Sequence, residues 1–323
     1  MRGRYAPSPT GGFHLGNART ALLAWLQCRA AGGTFVMRVE DLDVGRVRAG
    51  AMEQQFAELR WLGLDWDEGP DVGGGHGPYM QSERARRYEE ALRVLAGAGD
   101  LYECRCTRRD IAGAASAPHA DDEGPPYPGT CRARRVEPGN ASLLEHARGA
   151  ALRFRAPPGE VCFDDLLLGS RCTDVAAQSG DFVVRRKDGI PAYQLAVVVD
   201  DAAMEITHVL RAADLVASTA RQLHLYRALG VRAPAFLHVP LVVGPDGERL
   251  AKRRGAVTLT ELRDSGADPR QVIGWLASSC GLAEAGEELA PHELIPRFRV
   301  DRLPARPTVL PQGVVSGLAG TPR

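Results

Sequence analysis

Apolar and polar positions along the first hundred residues follow two rhythms. Gly3–Ala6 is a short run that reads as a strand and stops at a loop rich in proline and glycine. From Leu15 to Ala31 apolar residues recur at helical spacing, among them Leu22, Leu23, Trp25 and Leu26, until Gly32-Gly33 ends the run. Thr34–Asp41 (TFVMRVED) is rich in Val and Phe and predicts the next strand. Helical spacing returns over Val47–Leu62, with Phe56, Leu59, Trp61 and Leu62 apolar, and again over Glu83–Gly97. Strand, helix, strand, helix at these lengths predicts a parallel α/β sheet.

The rhythm breaks after a cysteine-bearing segment. From Ile111 to Ser142 the chain is Ala, Pro, Gly, Asp and His with little periodicity, which predicts a loop-rich insertion. Strand-like runs resume with LRFRAP, FVVRR and YQLAVVVDD, the last expected to be a buried strand of the α/β unit. A helix over Ala213–Leu229, the strand FLHVPLVV, the turn GPDG and a helix over Pro269–Cys280 follow. Beyond Arg302, prolines and glycines with few large apolar residues predict a poorly ordered tail. No internal repeat is present.

Composition narrows the classes. Forty basic and forty acidic residues cancel, which argues against a nonspecific polyanion binder while leaving room for a local basic patch. No apolar run approaches the roughly 18 residues that span a bilayer. Pro7 and Pro9 fall where the apolar core of a signal peptide would begin, so the expected location is cytoplasmic. Seven cysteines, an odd number in a chain of this length, suggest no disulfide framework. Cys104, Cys106 and Cys131 cluster, and three thiols in a loop-rich segment favour a metal over a disulfide. The other four read as small buried residues. Arg105, Arg108, Arg109, Arg132, Arg134 and Arg135 flank the cluster, either as a patch for an RNA backbone or as a solvated face.

The stretch YAPSPTGGFHLGN is the first candidate site. A strand that turns through Gly11-Gly12 and enters a helix near Gly16 presents backbone N–H groups where a phosphate binds well. Gly16 permits close approach of a ligand, and His14 can donate to an anion or to developing charge. From pattern alone, a phosphate cradle and a tight structural turn are both open.

Arg4–Leu22 (RYAPSPTGGFHLGNARTAL) resembles the start of the glutamyl-tRNA synthetase group of class I aminoacyl-tRNA synthetases, with His14-Leu15-Gly16-Asn17 similar to their HIGH signature. The resemblance implies a Rossmann-like catalytic core in which His14, Gly16 and Asn17 meet ATP. It implies that Arg4, Tyr5, Ala6, Pro7 and Ser8 contact the amino acid, Tyr5 standing where a Phe is usual. Arg38-Val39-Glu40-Asp41 matches a further family stretch, and Glu40 is expected to bind the α-ammonium, although EDLD alone reads as a capping turn. Ala192–Asp201 and Thr207–Leu215 (THVLRAADL) match the second half, which puts Tyr193 and Arg211 on the glutamate substrate. A guanidinium suits a side-chain carboxylate, gripped as a bidentate fork.

Gly244–Ala256 (GPDGERLAKRRGA) falls on the family's lysine loop. Lys252 matches the lysine expected to stabilise the phosphates in the transition state. Arg249 and Ala251 replace a lysine and a serine, which keeps charge and removes a hydroxyl. For the cysteine cluster, some bacterial relatives carry a structural zinc on a C-x-C…Y-x3-C set, which carries over to Cys104, Cys106, Tyr127 and Cys131. His119 is a rival fourth ligand.

The expected organisation is a catalytic core in two halves, 1–100 and 192–240, with an insertion at 101–191. A lysine-loop and helical region at 241–301 and the tail at 302–323 complete it. A core of this kind with a zinc-type insertion and no room for an anticodon-binding region resembles the glutamyl-Q tRNA(Asp) synthetase family. That resemblance implies a monomer that uses ATP with Mg²⁺, L-glutamate and tRNA(Asp) bearing queuosine, away from membranes. A shortened synthetase charging tRNA(Glu), or a weak nucleotide- or tRNA-binding paralogue, are the alternatives.

Overall fold

The computed structural model describes residues 1–107, 109–111, 126–136, 142–145, 149–248, 250, 257–311 and 313–318. Its centre is a parallel sheet of four strands. Strand β1 (Arg2–Tyr5) leads through the opening loop into α1 (Leu15–Ala30), and β2 (Thr34–Met37) returns beside β1 in register, Arg2 opposite Thr34 and Tyr5 opposite Met37. Helices α2 (Ala51–Trp61) and α3 (Ala85–Gly97) follow.

The chain then leaves the sheet. Strands β3 (Leu101–Cys104) and β4 (Ala151–Phe154) pair antiparallel, and β5 (Glu160–Asp165) and β6 (Gly169–Asp174) form a separate antiparallel hairpin. The one-turn α4 (Val175–Gln178) leads to β7 (Phe182–Arg185), which adds to β4. Helix α5 (Tyr193–Ala203) re-enters the core, and β8 (His208–Ala212), α6 (Val216–Ala228) and β9 (Ala235–Val239) complete the central sheet. Its order is β2-β1-β8-β9, so the strand sequence reverses direction between β1 and β8. In open parallel sheets, ligands bind outside the carboxyl ends of the strands at such a switch point.

After β10 (Val242–Val243) come α7 (Leu259–Asp264) and α8 (Pro269–Ser278). A two-residue strand β11 (Thr308–Val309) pairs parallel with β10, and a short helix α9 (Val314–Leu318) follows. One apolar cluster lies between the sheet, α1, α2 and α8; a second joins α3, α5 and α6 to the antiparallel strands. Among the described residues, no helix is long and apolar enough to cross a membrane.

Three expectations change. YQLAVVVDD is helix α5 rather than a strand, and the strand that follows it into the central sheet is β8. A run of buried apolar residues has no period to separate the two states. Burial here is complete on every side from Leu195 to Asp201, because the helix packs against α6, α3 and β7. Second, Cys162 and Cys172 are exposed and disulfide-bonded, standing opposite one another across the β5–β6 hairpin, whereas Cys28 and Cys280 are buried thiols as expected. Third, the segment beyond Arg302 is held at β11, where Thr308 takes the side chain of Arg19 at 2.8 Å.

Candidate active site

A cavity of about 390 Å³ opens at the carboxyl ends of β1 and β8. The end of β1 supplies Arg4 and Tyr5; the opening loop supplies Ala6, Pro7 and Ser8, together with Gly11 to Phe13; α1 supplies Asn17 and Thr20; Glu40, Tyr193 and Arg211 close the other walls. Eight of the expected substrate residues therefore share one space. His14 and Gly16 do not line it. Lys252, like Arg249, Ala251 and His119, lies outside the described residues.

His14 is the N-cap of α1. Its Nδ1 accepts from the backbone N–H of Gly16 at 3.0 Å and of Asn17 at 3.3 Å, and the Asn17 side chain accepts from the His14 N–H in return. The first-turn N–H groups expected to cradle phosphate are thus occupied by the histidine itself. Because Nδ1 is an acceptor, the ring proton sits on Nε2, and burial pulls the pKa of the imidazole below its usual value, favouring the neutral form. The capping imidazole leaves no room for a side chain at Gly16, where a Cβ would meet His14 Cε1 at 2.9 Å and Nδ1 at 3.0 Å.

Below the loop lies a buried charge network. Arg38, fully buried, donates to Asp201 of α5 at 2.6 Å and to Glu40 at 3.2 Å, and Arg4 donates to the same Asp201 oxygen at 3.3 Å. Burial pushes Asp201 up, but the two guanidiniums outweigh it and hold the carboxyl below its usual range. Glu40 goes the other way: burial raises its pKa despite Arg38 and Arg4. Neighbouring Asp200 takes Arg84 at 2.6 Å, Gln81 at 2.8 Å and Tyr88 at 2.9 Å, so α5 is anchored to α3 from its buried face.

Arg211, on β8, is buried rather than at the surface. Its Nε donates to His238 Nε2 at 2.9 Å and its Nη2 to Thr219 Oγ1 at 2.8 Å. Its Nη1 is buried and has no hydrogen-bond partner among the described residues. The edge that would make a side-on fork is therefore committed, and Nη1 is the donor left over.

The opening loop is tied to the segment that begins at Val257, after the stretch expected to be a lysine loop. Leu259 N–H donates to Phe13 O at 2.7 Å, and His14 bridges Thr258. Glu58 of α2, fully buried, accepts from Phe13 N–H at 2.8 Å through one oxygen and from Thr260 Oγ1 at 2.6 Å through the other.

In the insertion, Cys104, Cys106 and Cys131 bring their sulfurs within 4.8 Å of one another. Cys106 Sγ is 3.6 Å from Cys131 Sγ, and the Tyr127 hydroxyl is 3.5 Å from Cys104 Sγ and 4.0 Å from Cys106 Sγ. A tetrahedral zinc with bonds of about 2.3 Å needs sulfurs about 3.8 Å apart, so the donor set fits that ion. Against the upward push of burial, the Arg105 N–H and the Tyr127 hydroxyl bring the Cys131 thiol down to about 7, within reach of a thiolate. Arg153 covers the Tyr127 ring at 3.8 Å, and Arg132 pairs with Asp181 at 3.1 Å, so part of the arginine patch is engaged internally.

The sheet order, the capped opening helix and the cavity at the switch point define a class I tRNA synthetase catalytic domain. The model of that family for E and Q matches residues 1–311. The chain is 54% identical over 319 residues to the glutamyl-Q tRNA(Asp) synthetase of Symbiobacterium thermophilum, covering 98% of each. It is 48% identical to that of Nitratidesulfovibrio vulgaris over the full length of both. The solved glutamate tRNA ligase of Elizabethkingia meningosepticum, in complex with its amino acid, superposes with a TM-score of 0.80 at 26% identity, over 98% of this chain and 68% of that one. The chain belongs to the glutamyl-Q tRNA(Asp) synthetase family and is a class I ligase.

Asp201, Arg38, Thr219, His238 and Glu58 are the site residues that sequence reasoning missed. Arg38 and Asp201 stood inside quoted motifs, and a charged residue at the end of an apolar run was the available signal.

Proposed function

We propose that the protein activates L-glutamate with ATP, without tRNA, and transfers the glutamyl group to the queuosine base in the anticodon of tRNA(Asp). The observation that carries the reading is that one cavity brings together Glu40 and the buried Nη1 of Arg211, which has no hydrogen-bond partner among the described residues. A buried donor without an acceptor is costly, of the order of 1–3 kcal/mol, and a carboxylate ligand removes that cost. Glutamate fits: its ammonium meets Glu40, and its side-chain carboxylate meets Arg211 beside Tyr193. The α-carboxylate then attacks the α-phosphorus of ATP in line, expelling pyrophosphate and forming glutamyl-adenylate. His14 donates through Nε2–H to the phosphates, and Lys252 adds positive charge as they separate. ATP arrives as its Mg²⁺ complex. A hydroxyl of the queuosine ring next attacks the mixed anhydride, releasing AMP; no side-chain nucleophile takes part. Cys104, Cys106, Cys131 and Tyr127 would hold a structural zinc that organises the insertion.

Labelled glutamate, ATP and tRNA(Asp) from queuosine-positive and queuosine-deficient cells test this. Label is expected on the queuosine-containing tRNA alone, with ATP–pyrophosphate exchange in the absence of tRNA. Label on tRNA(Glu), or no exchange at all, would overturn it.

A further inference from the structure

Arg211 is held from behind by a chain of contacts that begins outside the central sheet. Asp165 is the last residue of β5 in the β5–β6 hairpin. Its Oδ1 accepts from the N–H groups of Leu167 at 3.0 Å and Leu168 at 2.9 Å, and its Oδ2 accepts from His238 N–H at 3.1 Å and lies 2.6 Å from His238 Nδ1. Next to it, Leu166 N–H donates to Phe236 O of β9 at 2.9 Å, so the hairpin tip is stitched to the strand that carries the histidine. All three side chains are buried.

The protons of this chain follow from chemistry. A guanidinium has no acceptor, so His238 Nε2 must receive from Arg211 Nε with its lone pair. The ring proton is therefore on Nδ1, where the Asp165 carboxylate accepts it. With Nε on His238 and Nη2 on Thr219, rotation of the guanidinium about its last two bonds is blocked. The Phe236 ring, 5.2 Å from Arg211 Cζ, lies against the same group. One orientation survives, and in it Nη1 is the free donor.

We propose that Asp165 and His238 are positioning residues which fix Arg211 for the side-chain carboxylate of the amino-acid substrate, making the β5–β6 hairpin part of the selectivity apparatus. This rests on the reading of Arg211 given above. The relay touches neither ATP nor the opening loop, so its loss falls on the amino acid. One charge-assisted bond that sets the guanidinium is worth roughly a ten- to hundredfold change in apparent affinity.

The test is ATP–pyrophosphate exchange by the full chain at varied glutamate and varied ATP. His238→Ala is expected to raise the KM for glutamate at least about tenfold, with the KM for ATP within about twofold and kcat at saturating glutamate largely kept. Selectivity for glutamate over glutamine falls with it. Asp165→Asn, nearly isosteric, moves glutamate KM in the same direction by less. His238→Gln, whose amide oxygen reaches the place of Nε2, recovers part of the loss. On an Arg211→Lys background, His238→Ala adds little further, because both act through one group. If Arg211→Lys raises the glutamate KM while neither relay variant does, or if relay variants raise both KM values alike, the relay is refuted and the reading of Arg211 stands. If Arg211→Lys leaves the glutamate KM unchanged, the reading of Arg211 fails and this proposal falls with it.

Discussion

Replacing Glu58 by Gln should loosen two parts of the site at once. The carboxylate is fully buried in α2 and receives donors on both oxygens: Phe13 N–H at 2.8 Å on one, Thr260 Oγ1 at 2.6 Å and Thr260 N–H at 3.2 Å on the other. Gln54 adds a donor to the second oxygen at 3.2 Å. A carboxylate satisfies all of these because it accepts on both sides. The amide of Gln accepts on one side only and turns an NH₂ toward a donor on the other. One charge-assisted bond goes, about 1.5–3 kcal/mol, and a buried donor is left unpaired, about 1–3 kcal/mol, for a total of roughly 2.5–6 kcal/mol. That is a large share of a typical folding free energy of about 5–15 kcal/mol.

The measurement is urea unfolding followed by tryptophan fluorescence, with ATP–pyrophosphate exchange as a second readout. Because Phe13 precedes His14 and Thr260 follows the lysine loop, the variant is expected to lose exchange more steeply with falling ATP than with falling glutamate. Thr260→Val, which removes the hydroxyl donor and leaves the carboxylate its other partners, should cost only about 1 kcal/mol. A Glu58→Gln protein that unfolds within about 1 kcal/mol of wild type and exchanges normally would refute this account of how the two segments are joined.

Burial raises the Glu40 pKa, so it takes up a proton at higher pH than an ordinary carboxylate, and only its charged form holds an ammonium. The KM for glutamate should therefore climb as pH falls through that raised value, and Glu40→Gln should give a weak, flat profile; a flat wild-type profile would contradict the assignment. Gly16→Ala places a methyl group 2.9 Å from His14 Cε1, so the imidazole must move and the cap is lost, costing about 1 kcal/mol of stability. Exchange activity should fall with it, read as a raised KM for ATP, and normal kinetics would remove His14 from the phosphate site. Metal analysis of the purified protein should find one zinc per chain, lost in Cys131→Ser and weakened in Tyr127→Phe, with the insertion more open to protease in both. Full zinc retention by Cys131→Ser would exclude the Cys104, Cys106, Cys131 and Tyr127 set.

How much of this was legible in the chain follows the range of the forces involved. β1 and α1 carry their own periodicity and punctuation, and their observed ends fall within a residue of the expected ones, whereas β2 starts at Thr34 as expected but stops at Met37, four residues short of Asp41. The cysteine cluster was legible because thiols at short spacing are rare and chemically specific. Helix α5 was not, since Leu195 to Val199 is apolar on every side, and what makes it a helix is the environment that also buries Asp200 and Asp201. Arg211 without its family pattern looks like a surface residue. Its burial depends on His238, 27 positions away, and on Thr219 eight positions away, neither of which has a local signature. Asp165 is more distant still, 73 positions from the histidine it orients. The same asymmetry applies to His14: the motif locates it, while the side to which its lone pair points is a property of the folded cap. Residues that touch a ligand recur in motifs because the ligand constrains them; residues that aim them are chosen by packing. Mutational scans of this fold should accordingly find selectivity effects at Asp165, His238 and Thr219 that no motif would have nominated.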